Sequence, residues 1–150
     1  QLAQASARIQ ALAQMQNYFY ARPERVSRIR LLEFLRAFAP DFAQEAGLAA
    51  RVDVSGEDAA VDVGKATSIG LAVAEAILNR AEAGSNGAGL RIRLTQEPKQ
   101  LSILIEDRGG ARAPTALHAA LLHQYARLIA ATLEIATSDS GTKIVLRLAA

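Results

Sequence analysis

The chain of 150 residues predicts an α+β fold, an N-terminal antiparallel helical hairpin followed by a sheet covered by helices, and three observations carry that reading. From Ala66 to Ala83 the apolar residues Ile69, Ala72, Val73, Ala76, Ile77 and Ala81 recur at the three-and-four spacing of one helix face. Leu90-Arg-Ile92-Arg-Leu94-Thr and Leu101-Ser-Ile103-Leu-Ile105-Glu alternate on either side of a turn at Pro98, the pattern of a strand hairpin. Residues 1–46 read as two helices parted only by the break at Pro23.

Composition narrows what such a fold is for. With 51% hydrophobic residues the chain is one or two small domains able to bury a core. No stretch approaches the roughly 18 apolar residues that span a bilayer, and the opening QLAQASARIQ lacks the basic-then-apolar plan of a signal peptide, so a soluble, cytoplasmic protein with no membrane segment is expected. The absence of cysteine removes disulfides, thiolate metal sites and thiol nucleophiles. A net charge of +2, from 17 basic and 15 acidic residues, implies no nucleic-acid field.

In chain order, Gln1 to Tyr20 forms the first helix, with Leu2, Ala5, Ile9, Leu12, Gln16 and Phe19 as a heptad-like seam. A second helix is expected from Glu24 to Ala46, with Val26, Ile29, Leu31, Leu32, Leu35, Phe38, Ala39 and Phe42 apolar, and Pro40 kinking or shortening it. A hairpin of about 45 residues cannot hide both apolar faces, so a second copy completing a four-helix bundle is expected. The aromatics Tyr18, Phe19 and Tyr20 read as part of that bundle core, or as a contact surface where they stay exposed. Gly47 caps the hairpin, dividing the chain into 1–46 and 47–150. Ala50 to Ser55 and Ala59 to Val63 are short strands. Thr115 to Ala131 is a helix turning Leu117, Leu121, Tyr125, Leu128 and Ile129 inward, and residues 132–136 and 143–148 close the sheet as a hairpin around Ser138-Asp-Ser-Gly141. Glu75 and Asn79, one turn apart on the central helix, stand on the same side and are placed to hold one ligand. His118 and His123 lie five apart, too far around a helix to share a metal, and read as surface or core-edge residues. Arg91, Arg93, Lys143 and Arg147 alternate with inward residues and line one face of the sheet.

A helical hairpin, then a helix with Glu75-x-x-x-Asn79, a strand hairpin ending in Asp107-x-Gly109, a helix, and Gly141-Thr142 before the last strand resembles the dimerisation and catalytic regions of bacterial sensor histidine kinases, particularly those with a His-Arg-hydrophobic-Lys-Asn acceptor signature. The resemblance implies a helical hairpin over 1–46 and a histidine-kinase-like ATPase sandwich of the GHKL type over 47–150. It implies an ATP site in which Asn79 holds Mg²⁺ on the phosphates, Glu75 stands one turn earlier, Asp107 accepts from the adenine amino group, Gly109 lets the backbone approach the base and Thr142 joins the same set.

The chain also departs from that pattern. Glu82 and Ala83 stand where the family has a basic residue and a histidine, and exchanging a phosphate-facing cation for a carboxylate turns attraction into repulsion. Ala116-Leu117-His118 falls where lid glycines would cradle phosphate. Ala7-Arg8-Ile9-Gln10-Ala11 occupies the acceptor motif, with alanine in place of the phosphorylated histidine, so no catalytic residue is assigned. The expected protein is a degenerate two-component kinase relative that dimerises and docks a response-regulator receiver domain, with ATP and Mg²⁺ bound weakly or not at all. A weak ATP-dependent histidine or protein kinase, and an unrelated helix-plus-sheet interaction domain, are the alternatives.

Overall fold

A computed structural model of the chain describes residues 2–21, 28–48, 50–83, 89–108 and 113–149. The elements run α1 (Leu2–Tyr20), β1 (Arg28–Arg30), α2 (Leu31–Glu45), β2 (Val52–Gly56), β3 (Ala60–Asp62), α3 (Val63–Ala83), β4 (Leu90–Glu97), β5 (Gln100–Asp107), α4 (Ala116–Leu128), β6 (Thr132–Ser138) and β7 (Gly141–Ala149). Five strands make a mixed sheet in the order β2-β4-β5-β7-β6, with β2 parallel to β4 and every other pair antiparallel. Alternation puts Leu90, Ile92, Leu94, Leu101, Ile103, Ile105, Ile144, Leu146 and Leu148 on the covered face, all buried. Arg91, Arg93, Lys143 and Arg147 fall on the opposite face, where Glu106 lies 3.7 Å from both Arg91 and Lys143. The α+β class and the helix-covered mixed sheet are as expected.

Helix α3 is the hub. Its buried residues run almost unbroken from Ala72 to Arg80, because α1 and α2 pack on it as well as α4 and the sheet. Gly70 sits where α1 and α2 cross it, and a Cβ there would overlap the Met15 sulfur and crowd the Phe34 ring. Helices α1 and α2 run antiparallel, Gln10 and Gln14 reaching Glu45 at one end while Tyr18 and Phe19 meet Phe34 at the other.

The second helix differs from its expected start at Glu24. Residues 22–27, Val26 among them, lie outside the described residues; Arg28-Ile29-Arg30 is a strand paired antiparallel with β3, and the helix begins at Leu31. The cause is a distant cap. Arg30 supplies no side-chain cap, while the Asp58 carboxylate accepts from the Leu32 N–H at 2.9 Å and from Arg30 Nε at 3.2 Å. Pro40 does not end the helix, which runs on to Glu45 with Pro40 on its exposed side. Beyond it Gly47, at φ +81°, makes the expected cap: its N–H bonds Gln44 O and the Leu48 N–H bonds Ala43 O.

Two helix faces also differ. Phe34, Phe38 and Phe42 of α2 enter one hydrophobic core shared with α3 and the sheet, so the chain itself covers that face. In α1 the inward residues are Ala7, Arg8, Ala11, Met15 and Phe19, whereas Ala5, Ile9, Leu12 and Gln16 of the expected seam are exposed, Ile9 by 69%. In α4 the inward set is His118, Leu122, Tyr125 and Ala126, one residue on from the expected phase, and Leu117 and Leu128 are exposed. A polar anchor sets that phase: His118 is drawn inward by carboxylates on α3.

Candidate functional site

Inward-facing residues of α3 meet the ends of β5 and β7 and the first turn of α4 at one end of the sheet. Register places Asp107, the last residue of β5, opposite Thr142 at the start of β7. Gly141, at φ +131°, permits the approach, since a Cβ there would overlap the Asp107 carbonyl. Glu75, Asn79, Asp107, Thr142 and His118 surround a cavity of about 10 Å³ floored by Ala76, Ile105, Leu122 and Ile144, with room for about one water. The structure thus brings together Glu75, Asn79, Asp107 and Thr142; Gly109 lies outside the described residues, as do residues 110–112 of the expected lid.

Each member has a partner within the chain or a conspicuous lack of one. Glu75, fully buried, receives Arg8 Nε at 2.6 Å and an Arg8 terminal N–H at 3.0 Å, and it lies 2.7 Å from His118 Nδ1. Burial alone would raise its pKa, but hydrogen bonds from His118 and Arg8 hold the carboxyl below the ordinary range. The Arg8 guanidinium is held correspondingly higher by its bond to Glu75. Tyr125, also on α4, has its phenol pushed up to about 12 by burial and by the charge of Glu75. Arg80, buried beside Asn79 in sequence, pairs with Asp107. Thr142 Oγ1 lies 3.2 Å from Thr137 Oγ1. Asn79, 6% exposed, has a buried Oδ1 with no hydrogen-bond partner among the described residues.

Glu82 does not line the cavity: its carboxylate lies 3.0 Å from His118 Nε2 instead. His118 is neither a surface nor a core-edge residue; its side chain is 2% exposed and spans Glu75 and Glu82. Its backbone N–H donates to Thr115 Oγ1 at 3.2 Å, the N-cap that starts α4. Ala7, at the acceptor position, is partly buried against the core. Sequence reasoning missed Arg8, Arg80, His118 and Tyr125 as site residues. A signal existed for the first: Arg8 is the sole charge among the 19 residues of α1. Among the described residues, no cluster of three or more His, Cys, Asp or Glu is arranged to hold a metal, and no helix is long and apolar enough to cross a membrane.

No protein-family model matches the chain, and no curated protein sequence does. Solved structures do. The histidine kinase domain of the Erythrobacter litoralis EL346 blue-light activated histidine kinase aligns with a TM-score of 0.76 at 22% identity, over 95% of this chain and 73% of that one. A longer chain of the same blue-light kinase aligns at 0.79 and 22%, again over 95% of this chain but 52% of that one, so the present chain spans about half of it. The ATP binding domain of PrrB from Mycobacterium tuberculosis aligns at 0.66 and 23%, over 81% of this chain and 95% of that domain. At such identities the likeness speaks for architecture: this chain has the fold of histidine-kinase ATP-binding regions, the GHKL-type sandwich of helices on a mixed sheet.

Proposed function

We propose that the chain is a two-component signalling protein of the histidine-kinase type that acts by binding: a cytoplasmic homodimer formed through the 1–46 hairpin, docking a response-regulator receiver domain, with a nucleotide site stopped by its own side chains. The observation that carries this reading is what already occupies the groups a nucleotide would need. Asp107, where the resemblance puts the adenine contact, is paired with Arg80, and Glu75 is taken by Arg8 and His118. About 10 Å³ is left between them, against roughly 300 Å³ at the small end of ligand pockets. A guanidinium attached one residue from Asn79 loses no translational freedom on reaching Asp107, so a free base competes with it at a disadvantage. ATP and Mg²⁺ fit these residues poorly.

Isothermal titration with Mg-ATP, Mg-ADP and adenosine tests the reading. Wild-type protein is expected to bind each no tighter than about 1 mM, a free energy near −4 kcal/mol, while Arg80→Ala gains affinity for adenosine. Low-micromolar Mg-ATP binding by the wild type would overturn it. A second reading, a weak ATP-dependent kinase, is favoured by Asn79, whose buried Oδ1 has no partner among the described residues and costs about 1–3 kcal/mol left so.

Dimerisation is supported by α1. Its one charge is turned inward to Glu75, leaving an outer face without charge on which Ile9 and Tyr20 are 69% and 83% exposed.

A further inference from the structure

We propose that His118 is a proton-operated clasp: as an imidazolium it ties the first turn of α4 to the C-terminal half of α3, holding Glu75 and, in the last turn, Glu82, and loss of its proton releases Glu82.

Both ring nitrogens face carboxylate oxygens, Nδ1 at 2.7 Å from Glu75 and Nε2 at 3.0 Å from Glu82. A neutral imidazole carries one N–H, so in either tautomer a lone pair would be aimed at one of these carboxylates; only the doubly protonated ring donates to both. The groups facing the ring agree. From α1 comes Arg8; from α3 come Glu75, Asn79 and Glu82; α4 itself contributes Tyr125; across the cavity stand Thr142 and Asp107, the latter with Arg80. Within the inner group the two cations Arg8 and His118 balance the two carboxylates Glu75 and Glu82, and removing the proton leaves one negative charge unmatched. Burial opposes charging the ring, yet hydrogen bonds to Glu75 and Glu82 hold its pKa above the ordinary histidine value.

The contact that fails is decided by the surroundings. Glu75 has no exposure and keeps Arg8; the Glu82 side chain is 38% exposed and borders solvent. The proton therefore leaves Nε2 for bulk water, the ring keeps its Nδ1–H bond to Glu75, and Glu82 turns outward. A carboxylate in the last turn of a helix also stands at the negative end of the helix dipole, so nothing in α3 holds Glu82 back. Acid closes the clasp and alkali opens it.

The test needs neither nucleotide nor partner, so its failure leaves the reading of the cavity untouched. The chain has two histidines, and His123→Gln leaves His118 as the single imidazole for ¹⁵N NMR. The His118 midpoint is expected to lie above 6.5, with both ring nitrogens protonated below it, and to drop by about one pH unit or more in Glu82→Gln. Amide exchange at residues 79–83 and 116–120, corrected for intrinsic chemistry, is expected to quicken between pH 6 and pH 9 in the wild type and to lose that dependence in His118→Gln. A midpoint at or below 6.5, an unmoved midpoint in Glu82→Gln, or an unchanged pH dependence in His118→Gln would overturn the clasp; if His118→Gln does not fold, the Glu82→Gln midpoint decides alone.

Discussion

Arg8 does at the level of one residue what a ligand does for a binding site: it neutralises Glu75, a carboxylate with no exposure at all. Deleting it leaves that charge with His118 as its cationic partner and the Tyr125 phenol beside it. Arg8→Ala is expected to cost on the order of 2–3 kcal/mol in urea unfolding, below the roughly 3–5 of a fully buried pair, because the Arg8 side chain keeps 18% exposure. Arg8→Lys should recover only part, since an ammonium cannot reproduce the two-pronged contact. Gly70→Ala is expected to cost about 1–3 kcal/mol by overpacking, and Met15→Ala in the same molecule to relieve much of it, the Met15 sulfur being what the new methyl overlaps. With Ala7 at the acceptor position, labelled ATP is expected to leave no acid-labile phosphohistidine anywhere in the chain; a stoichiometric label lost in His118→Ala or His123→Ala would contradict this.

Among the elements, α1 separates what was legible in the sequence from what was not. Its span from Leu2 to Tyr20 could be read directly, because nothing in those residues breaks a helix. Its inner face could not, because Ala7, Ala11 and Met15 are no more apolar than Ile9 and Leu12, and only the partner carboxylate on α3 shows which side Arg8 draws inward. The phase of α4 was hidden for the same reason: Leu117 and Leu121 outcompete His118 as core residues until two carboxylates are placed beside it. β1 was unreadable because its partner, β3, follows 30 residues later and its three residues carry no turn signal of their own. By contrast the pairing of Glu75 with Asn79 was legible from their spacing within α3, while the placement of Asp107 and Thr142 beside them came from the resemblance in the order of elements, and the strand register brings those two opposite each other. If the outer face of α1 is the dimer contact, Ile9→Asp with Leu12→Asp should give a monomer by light scattering while the unfolding temperature of the α3–sheet body is held; a dimer that persists would place the interface elsewhere.

For the molecule as a whole, two buried ionisable groups, Glu75 and His118, act in opposite directions on pH dependence. Glu75 has its pKa lowered by folding, so its contribution is present above the ordinary value of 4.5 and is lost as pH falls through the folded value. His118 has its pKa raised, so its contribution is complete below 6.5 and is lost as pH rises through the folded value. Stability is therefore expected to peak between pH 4.5 and 6.5 and to fall from there as pH rises through the raised His118 value, measured as urea midpoints across pH, and His118→Gln should flatten the alkaline limb while leaving the acid limb sloping.

The sheet order has a consequence for how the chain is made. β7, the last strand in chain order, lies between β5 and β6 rather than at an edge. Until residues 141–149 have left the ribosome, β6 has no neighbour to pair with and β5 keeps one unpaired edge, so a nascent chain stalled before residue 141 carries an unfinished sheet. Assembly of the body is thus tied to its final strand, and lengthening the time between synthesis of β5 and β7, for instance by slow codons after residue 107, is expected to lower soluble yield without changing the stability of the molecules that do fold.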